Sequence, residues 1–174
     1  PNPDFKYNIV ITPKMSFGTG HHETTSMVME LQLGIDHQDK TVLDVGTGTG
    51  ILSILAAKLG ASEIKAFDID EWSVENTEEN QQLNNVPNMS VRLGTIQDEP
   101  TAVYDIVLAN INRNILLDEI PVYATFMQSG GYLIVSGFYK HDEPGIQEVA
   151  QQNGLEKIDS RSKNQWAAVV FKKH

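Results

Sequence analysis

The chain has 174 residues, 40% of them hydrophobic and 21% charged, which is the size and composition of one globular domain. Its 13 lysines and arginines against 23 aspartates and glutamates give a net charge of −10, which disfavours binding to nucleic-acid phosphates but suits encounter with a basic protein or an amine. There is no cysteine, so disulfides and thiol chemistry are excluded, and no apolar run approaches the roughly 20 residues of a membrane span.

Strand-like and helix-like segments alternate through the first half of the chain. Glycines and Pro87 separate them, and Met27, Val28 and Leu31 have the spacing of one helix face. In chain order we expect an extended segment at 7–12, a helix at 23–33, a strand at 41–45, a helix at 51–59, a strand at 64–69, a helix at 72–83 and a strand at 89–93.

The second half continues this alternation until the last two segments, which have no helix between them. We expect a strand at 105–111, a helix at 115–126, a turn at 130–131, a strand at 132–137, a helix at 143–152 and strands at 155–160 and 166–172. Helices between strands predict a mostly parallel, doubly wound α/β sheet, and the final pair predicts an antiparallel hairpin at its edge. No linker or repeat divides residues 1–174, so we expect one domain.

A glycine loop, Gly46-x-Gly48-x-Gly50, lies between the strand at 41–45 and the helix at 51–59. This junction of a doubly wound sheet is where nucleotides bind. The dinucleotide fingerprint requires its third glycine at position 51, where Ile51 stands, so a nicotinamide-dependent oxidoreductase is disfavoured. With Asp44 two residues before it, the loop resembles the first motif of the class I methyltransferases, which bind S-adenosylmethionine. The alternative is a tight structural turn.

Asp68 closes the next strand, twenty residues beyond Gly48. A carboxylate at this place accepts hydrogen bonds from the two hydroxyls of an adenosine ribose in related folds. The alternative is an acid that only meets solvent. Strand, glycine loop, helix and a second strand ending in an acid together favour a nucleoside site.

Two further segments carry a more specific resemblance. Residues 17–25 read F-G-T-G-H-H-E-T-T, following P-K-M-S, and residues 109–111 read A-N-I. Both resemble the catalytic domain of the PrmA family, which methylates large-subunit ribosomal protein eleven, and the resemblance covers essentially the whole chain. It implies a Rossmann-like class I fold, S-adenosylmethionine as cofactor, and a cytoplasmic enzyme acting on lysine and N-terminal amino groups of that ribosomal protein. It also implies an N-terminal recognition domain that this chain lacks.

The resemblance carries four cofactor contacts to this sequence, at Thr25, Gly46, Asp68 and Asn110. The other loop glycines and an aromatic residue complete the predicted set of cofactor-binding residues: Phe17, Thr25, Gly46, Gly48, Gly50, Asp68 and Asn110. Two of these have ordinary alternatives, since Phe17 is as well suited to a core position and Thr25 to a helix cap.

Asn110 is the predicted catalytic residue. It ends a strand at the carboxyl edge of the sheet, where its side-chain carbonyl is able to accept a hydrogen bond from an incoming amine. Methyl transfer to nitrogen needs no protein nucleophile, so the main requirement is positioning. Ile111 and Asn112 replace the N-P-P-aromatic form found in many methylases of base amines, which disfavours a nucleic-acid base as acceptor. The alternative is that Asn110 only terminates its strand.

No metal site is expected, because His21 and His22 are adjacent and have no histidine four residues on. Three functions remain open from the residues. The first is methylation of the ribosomal protein, the second is methylation of another protein or a small-molecule amine, and the third is a nucleotide-binding module without catalysis.

Overall fold

The computed structural model describes residues 6–12, 23–100 and 102–174. Short 3-10 helices lie at Ile96–Asp98 and Lys140–Asp142. The other elements, in chain order, are α1 (Glu23–Leu33), β1 (Thr41–Val45), α2 (Ile51–Lys58), β2 (Glu63–Asp68), α3 (Glu71–Leu83), β3 (Met89–Leu93), β4 (Tyr104–Asn110), α4 (Arg113–Thr125), β5 (Met127–Tyr139), α5 (Glu143–Gln152), β6 (Leu155–Lys163) and β7 (Trp166–Lys173).

The seven strands form one sheet in the order β3-β2-β1-β4-β5-β7-β6. The first five in that order are parallel, while β7 is antiparallel to both β5 and β6. The predicted α/β fold with an antiparallel C-terminal hairpin is therefore confirmed. The strand order reverses between β1 and β4, and ligands of such sheets bind outside the carboxyl ends of the strands at that point.

Both faces of the central strands β1 and β4 are buried, which explains why these strands read as nearly continuous apolar runs. On β4, Val107 and Ala109 belong to the core shared with α4 and α5, whereas Ile106 and Leu108 belong to the core shared with α1 and α2. α3 packs beside α2 against β2 and β3. In the described part of the chain, no helix is long and apolar enough to cross a membrane.

The extended segment at 7–12 lies outside the sheet. The backbone N–H of Val10 donates to Asn84 Oδ1, and that of Thr12 donates to Asn80 Oδ1, each at 2.9 Å. Asn84 Nδ2 also donates to the Val10 carbonyl at 2.6 Å. The segment is therefore held by two asparagine side chains, Asn80 of α3 and Asn84 directly after it, rather than by strand pairing.

The glycine pair at 130–131 lies within β5 instead of before it. Tyr104 pairs with Met127 and Ile106 pairs with Tyr132, so β5 uses more residues than β4 between the same two pairings. The extra residues form a bulge in which Gly130 has a φ of +79°. The predicted turn before the strand is therefore wrong: β5 already pairs with β4 at Met127, and the positive φ of Gly130 belongs to the bulge.

Gly137 lets the end of β5 pack against the residue that follows β4. Its φ is +97°, and a Cβ at this position would lie 2.1 Å from the carbonyl oxygen of Ile111. That oxygen belongs to the backbone and has little freedom to move aside. A residue other than glycine at 137 therefore forces the ends of β4 and β5 apart.

We predict that Gly137→Ala lowers the free energy of unfolding by at least about 3 kcal/mol, because a left-handed backbone cost and a backbone clash add. Gly130→Ala is the matched control: its φ is also positive, but a Cβ there meets nothing within 4 Å. We expect it to cost only about 1–2 kcal/mol. Urea unfolding of the two variants measures the difference, and equal losses would show that the Ile111 contact is unimportant.

Candidate active site

The turn between β1 and α2 is pinned from two neighbouring elements. The Gly48 N–H donates to Asp68 Oδ2 at 2.9 Å, and the Gly48 carbonyl accepts from Thr77 Oγ1 at 2.9 Å. Asn80 Nδ2 donates to the Thr49 carbonyl, also at 2.9 Å. The end of β2 and the inner face of α3 therefore fix the backbone of the predicted glycine loop.

Gly46 and Gly50 have different surroundings. A Cβ on Gly46 would lie 2.5 Å from Ile111 Cγ2, so the absence of a side chain allows the loop to approach the end of β4. Gly50 precedes α2 and packs against Thr77 of α3. Of the three predicted loop glycines, Gly46 and Gly48 line a cavity above the turn, while Gly50 lies outside its lining.

This cavity has a volume of about 420 Å³, within the range of ordinary small-molecule sites. The predicted residues Thr25, Gly46, Gly48 and Asn110 line it together, although they come from α1, the glycine loop and the end of β4. Phe17, His21 and His22 lie outside the described residues, as does most of the 17–25 motif. Among the described residues, no group of acids and histidines is close enough to hold a metal.

Asp68 is held in place by the backbone around it. Oδ2 accepts from Gly48 as above, and Oδ1 accepts from the Asp70 N–H at 3.0 Å. The side chain is nearly buried, at 9% exposure. Each carboxylate oxygen has a second lone pair, so the group retains acceptor capacity for two further donors. Asp68 does not line the cavity itself, but it is hydrogen-bonded to Gly48, which does line it.

Thr25 and Asn110 meet across the cavity. Asn110 Nδ2 donates to Thr25 Oγ1 at 3.3 Å, which links the end of β4 to α1. Since α1 begins at Glu23, Thr25 is inside the first turn rather than at the helix cap. Thr25 is buried and lines the cavity. Asn110 also lines the cavity, and its side-chain carbonyl oxygen is a hydrogen-bond acceptor.

Asp44 is a buried acid beneath the same loop. Thr47 Oγ1 and Ser53 Oγ donate to its Oδ2 at 2.8 and 2.6 Å, whereas its buried Oδ1 has no hydrogen-bond partner among the described residues. Burial raises the pKa of Asp44 to about 6, and the nearby Asp68 charge adds to the rise, while the two hydroxyl hydrogen bonds oppose it. Sequence reasoning noted Asp44 only as part of the loop motif.

Sequence reasoning missed an exposed apolar group next to Asp68. Ile69 is 75% exposed and Trp72 is 73% exposed, and Leu93, which pairs with Asp68 across β2 and β3, is also exposed. Apolar residues at strand ends are usually assigned to the core. The available sequence signal was the position of Ile69 between two aspartates, Asp68 and Asp70.

Comparison with known proteins gives a consistent set of relatives. The family model described as ribosomal protein L11 methyltransferase (PrmA) matches residues 1–174. The chain is 48% identical over 173 residues to the ribosomal protein L11 methyltransferase of Porphyromonas gingivalis, covering 98% of this chain and 59% of that protein. It is 39% identical over 178 residues to the protein of the same name from Ruminiclostridium cellulolyticum, covering 99% and 55%. The chain thus spans less than two thirds of the length of these relatives.

Solved structures agree in fold. The ribosomal protein L11 methylase of Lactobacillus delbrueckii subsp. bulgaricus superposes with a TM-score of 0.91 at 32% identity, covering 100% of this chain and 91% of that one. An S-adenosylmethionine-dependent methyltransferase from Listeria monocytogenes, named as putative, superposes with a TM-score of 0.69 at 15% identity, covering 84% and 98%. The second likeness concerns the fold alone.

We predict that Asp44→Asn stabilises the unliganded protein at pH 7 to 8. A carboxyl whose pKa is raised from 3.8 to about 6 in the folded state favours folding below pH 4, and this contribution is lost as the pH rises through 6. The amide removes the ionisation cost and keeps an oxygen for Thr47 and Ser53, so we expect a gain of about 1–3 kcal/mol at neutral pH.

Urea unfolding between pH 4 and 8 measures this effect. The variant should lose the decrease in stability that the parent protein shows between pH 4 and 7. The exposed Asp118 provides a control, since Asp118→Asn should change stability by less than about 0.5 kcal/mol at every pH. A variant less stable than the parent at pH 8 would contradict the assigned cost of burying the Asp44 charge.

Proposed function

The chain belongs to the PrmA family of ribosomal protein L11 methyltransferases, and on that basis we propose that residues 1–174 are one catalytic domain that transfers methyl groups from S-adenosylmethionine to amino groups of a protein. The observation that supports this most directly is the arrangement of the β1–α2 turn. Its Gly48 N–H is fixed on Asp68 at 2.9 Å, and Thr25 and Asn110 meet beside it at the edge of a cavity of about 420 Å³.

The residues present fit this cofactor. Asp68 retains two acceptor lone pairs for the ribose hydroxyls, and its hydrogen bonds to Gly48 and Asp70 prevent it from rotating away. The cofactor carries a sulfonium and an ammonium, and Asp44 and Asp68 place two carboxylates near the turn. Ile69 and Leu93 offer an apolar surface next to Asp68, suited to the adenine ring.

When bound, S-adenosylmethionine supplies an electrophilic methyl carbon on its sulfonium. Asn110 orients the acceptor: its carbonyl oxygen accepts a hydrogen bond from the amine, and Thr25 holds the amide in that orientation. The amine must be neutral and about 3–3.5 Å from the methyl carbon. A lysine amine has a pKa near ~10.4 in water, and its removal from water in the closed site favours the neutral form.

The acceptor is proposed to be ribosomal protein L11, after the names of the relatives. The chain's net charge of −10 favours encounter with a basic protein. The cytoplasm is the corresponding location. Another protein or a small-molecule amine is a different acceptor for the same chemistry, and the second experiment below distinguishes them.

We predict that Asp68→Ala weakens binding of S-adenosylhomocysteine by at least about 100-fold, because two hydrogen bonds to a charged acceptor are lost. Isothermal titration calorimetry measures the affinity. Asp70→Ala is the matched control: Asp70 caps α3 through the Trp72 N–H, so this variant should lose stability but bind within about threefold of the parent, a change of under 1 kcal/mol. Normal binding by Asp68→Ala would overturn the ribose assignment.

We predict that the full-length protein adds methyl groups to purified ribosomal protein L11, and that Asn110→Ala lowers kcat about 100-fold because the amine is no longer held in line. Mass spectrometry of the acceptor counts the added methyl groups. Asn114→Ala, an exposed change on α4, is the control and should retain kcat. Methylation of other amines but not of L11 would reject this acceptor and keep the chemistry.

A further inference from the structure

Three aromatic side chains form a continuous stack from the cavity to the protein surface. The Tyr139 ring lies 4.3 Å from the Trp166 ring, with 28° between their planes, and 5.5 Å from the His141 ring, with 16° between them. Trp166 lines the cavity, whereas Tyr139 is 43% exposed and His141 is exposed. We call Trp166, Tyr139 and His141 the aromatic stack.

Strand pairing places two members of the stack, Tyr139 and Trp166, side by side. Tyr139 ends β5 and Trp166 begins β7, and the two residues are paired across these antiparallel strands. The tight β6–β7 turn at Asn164 and Gln165, both with positive φ, places Trp166 there. The Lys140 N–H donates to the Gln165 carbonyl at 2.7 Å, and Asn164 Nδ2 donates to Glu23 Oε1 at 2.9 Å.

Trp166 packs partly against the core of α1 and α2, but core packing does not explain the exposed Tyr139 and His141. Aromatic rings contribute most to stability when buried, but this stack becomes more exposed with distance from the cavity. Its inner end shares the cavity with Asn110, the residue assigned to the acceptor amine. The stack therefore forms a wall along one route from solvent to that residue.

The acid beside the stack, Asp142, is already paired with Arg113, so the attraction for a cation comes from the rings themselves. The Asp142 carboxylate lies 3.7 Å from His141 Nε2 and pairs with the Arg113 guanidinium at 2.9 Å, and Glu23 lies at the β6–β7 turn. An alkyl chain that ends in an ammonium group combines an apolar stem, which packs on rings, with a charge that is attracted by them. A lysine side chain has this form.

We propose that the aromatic stack is the acceptor-binding wall of the site. The indole of Trp166 contacts the alkylammonium side chain of the acceptor, and Tyr139 is a positioning residue that holds the indole plane from behind. This rests on the proposed methyltransferase function and goes beyond it, because it assigns the acceptor route to residues that neither the glycine loop nor Asp68 includes. Trp166 shares the cavity with the proposed cofactor residues, whereas Tyr139 and His141 lie outside its lining.

Steady-state kinetics of the full-length protein with a lysine-bearing acceptor test this assignment. We expect Tyr139→Ala to raise the acceptor KM about five- to tenfold, because the indole loses the ring that holds it, a contact of the size of one aromatic pair. Tyr139→Phe retains the ring and should restore the acceptor KM to within twofold of the parent value, about 0.4 kcal/mol. The affinity for S-adenosylhomocysteine should stay unchanged in both variants.

Tyr132→Ala is the matched control, since Tyr132 lies on the same strand β5 and packs against the core of α1 and α2, with Lys172 over its ring. It should change stability without changing the acceptor KM. Trp166→Phe, which keeps an aromatic surface, tests the indole directly and should raise the acceptor KM while leaving cofactor affinity intact. Thermal unfolding confirms that each variant is folded.

The outcomes separate this proposal from the preceding one. If the parent protein transfers no methyl group to any amine, the proposed function fails. If the parent transfers methyl groups and Tyr139→Ala leaves the acceptor KM unchanged, or alters it only together with cofactor affinity, the aromatic stack does not bind the acceptor.

Discussion

The hydrogen bond between the Gly48 N–H and the Asp68 carboxylate is the constraint on which the site depends. It joins the loop that follows β1 to the last residue of β2. These two strands are parallel neighbours, and both leave the sheet at this point. The Gly46 and Thr47 N–H groups also donate to the Phe67 carbonyl, at 3.0 and 3.1 Å. The turn therefore continues the β1–β2 pairing past the sheet edge, and Asp68 is oriented before any ligand arrives.

The need to hold this turn in place also explains why the inner face of α3 is polar, because Thr77 and Asn80 donate hydrogen bonds to the turn's carbonyls. A helix packed on a sheet normally buries an apolar stripe, but α3 buries Thr77 and Asn80, and the buried Asn84 directly follows its last residue. Asn80 donates to the glycine loop at Thr49 and accepts from Thr12, so one side chain connects the loop to the segment at 6–12. These buried amides supply the partners that an irregular backbone needs when no strand or helix pairs with it.

Much of this could be predicted from sequence because local signals and long-range packing agree. The strand at 41–45 is largely apolar and is followed by a glycine. The helix at 143–152 has a proline in its first turn and is followed closely by a glycine. Both elements have their predicted bounds. The pairing of Tyr139 with Trp166 and the bulge near Gly130 were not predictable, because register depends on contacts between distant segments. Thr77, Asn80 and Asn84 gave no signal, since polar residues on an acidic helix are usually assigned to solvent.

The electrostatics of the site connect its stability with its ligand. Asp44 and Asp68 stand near each other in a chain of net charge −10, and the charge of Asp68 contributes to the raised pKa of Asp44. Without a cation nearby, ionised Asp44 reduces the stability of the fold. A ligand that brings positive charge to the turn relieves this cost, and binding to the folded state alone raises stability by mass action. Bound at the turn as proposed, the positively charged cofactor would offset part of the negative charge that the fold already contains.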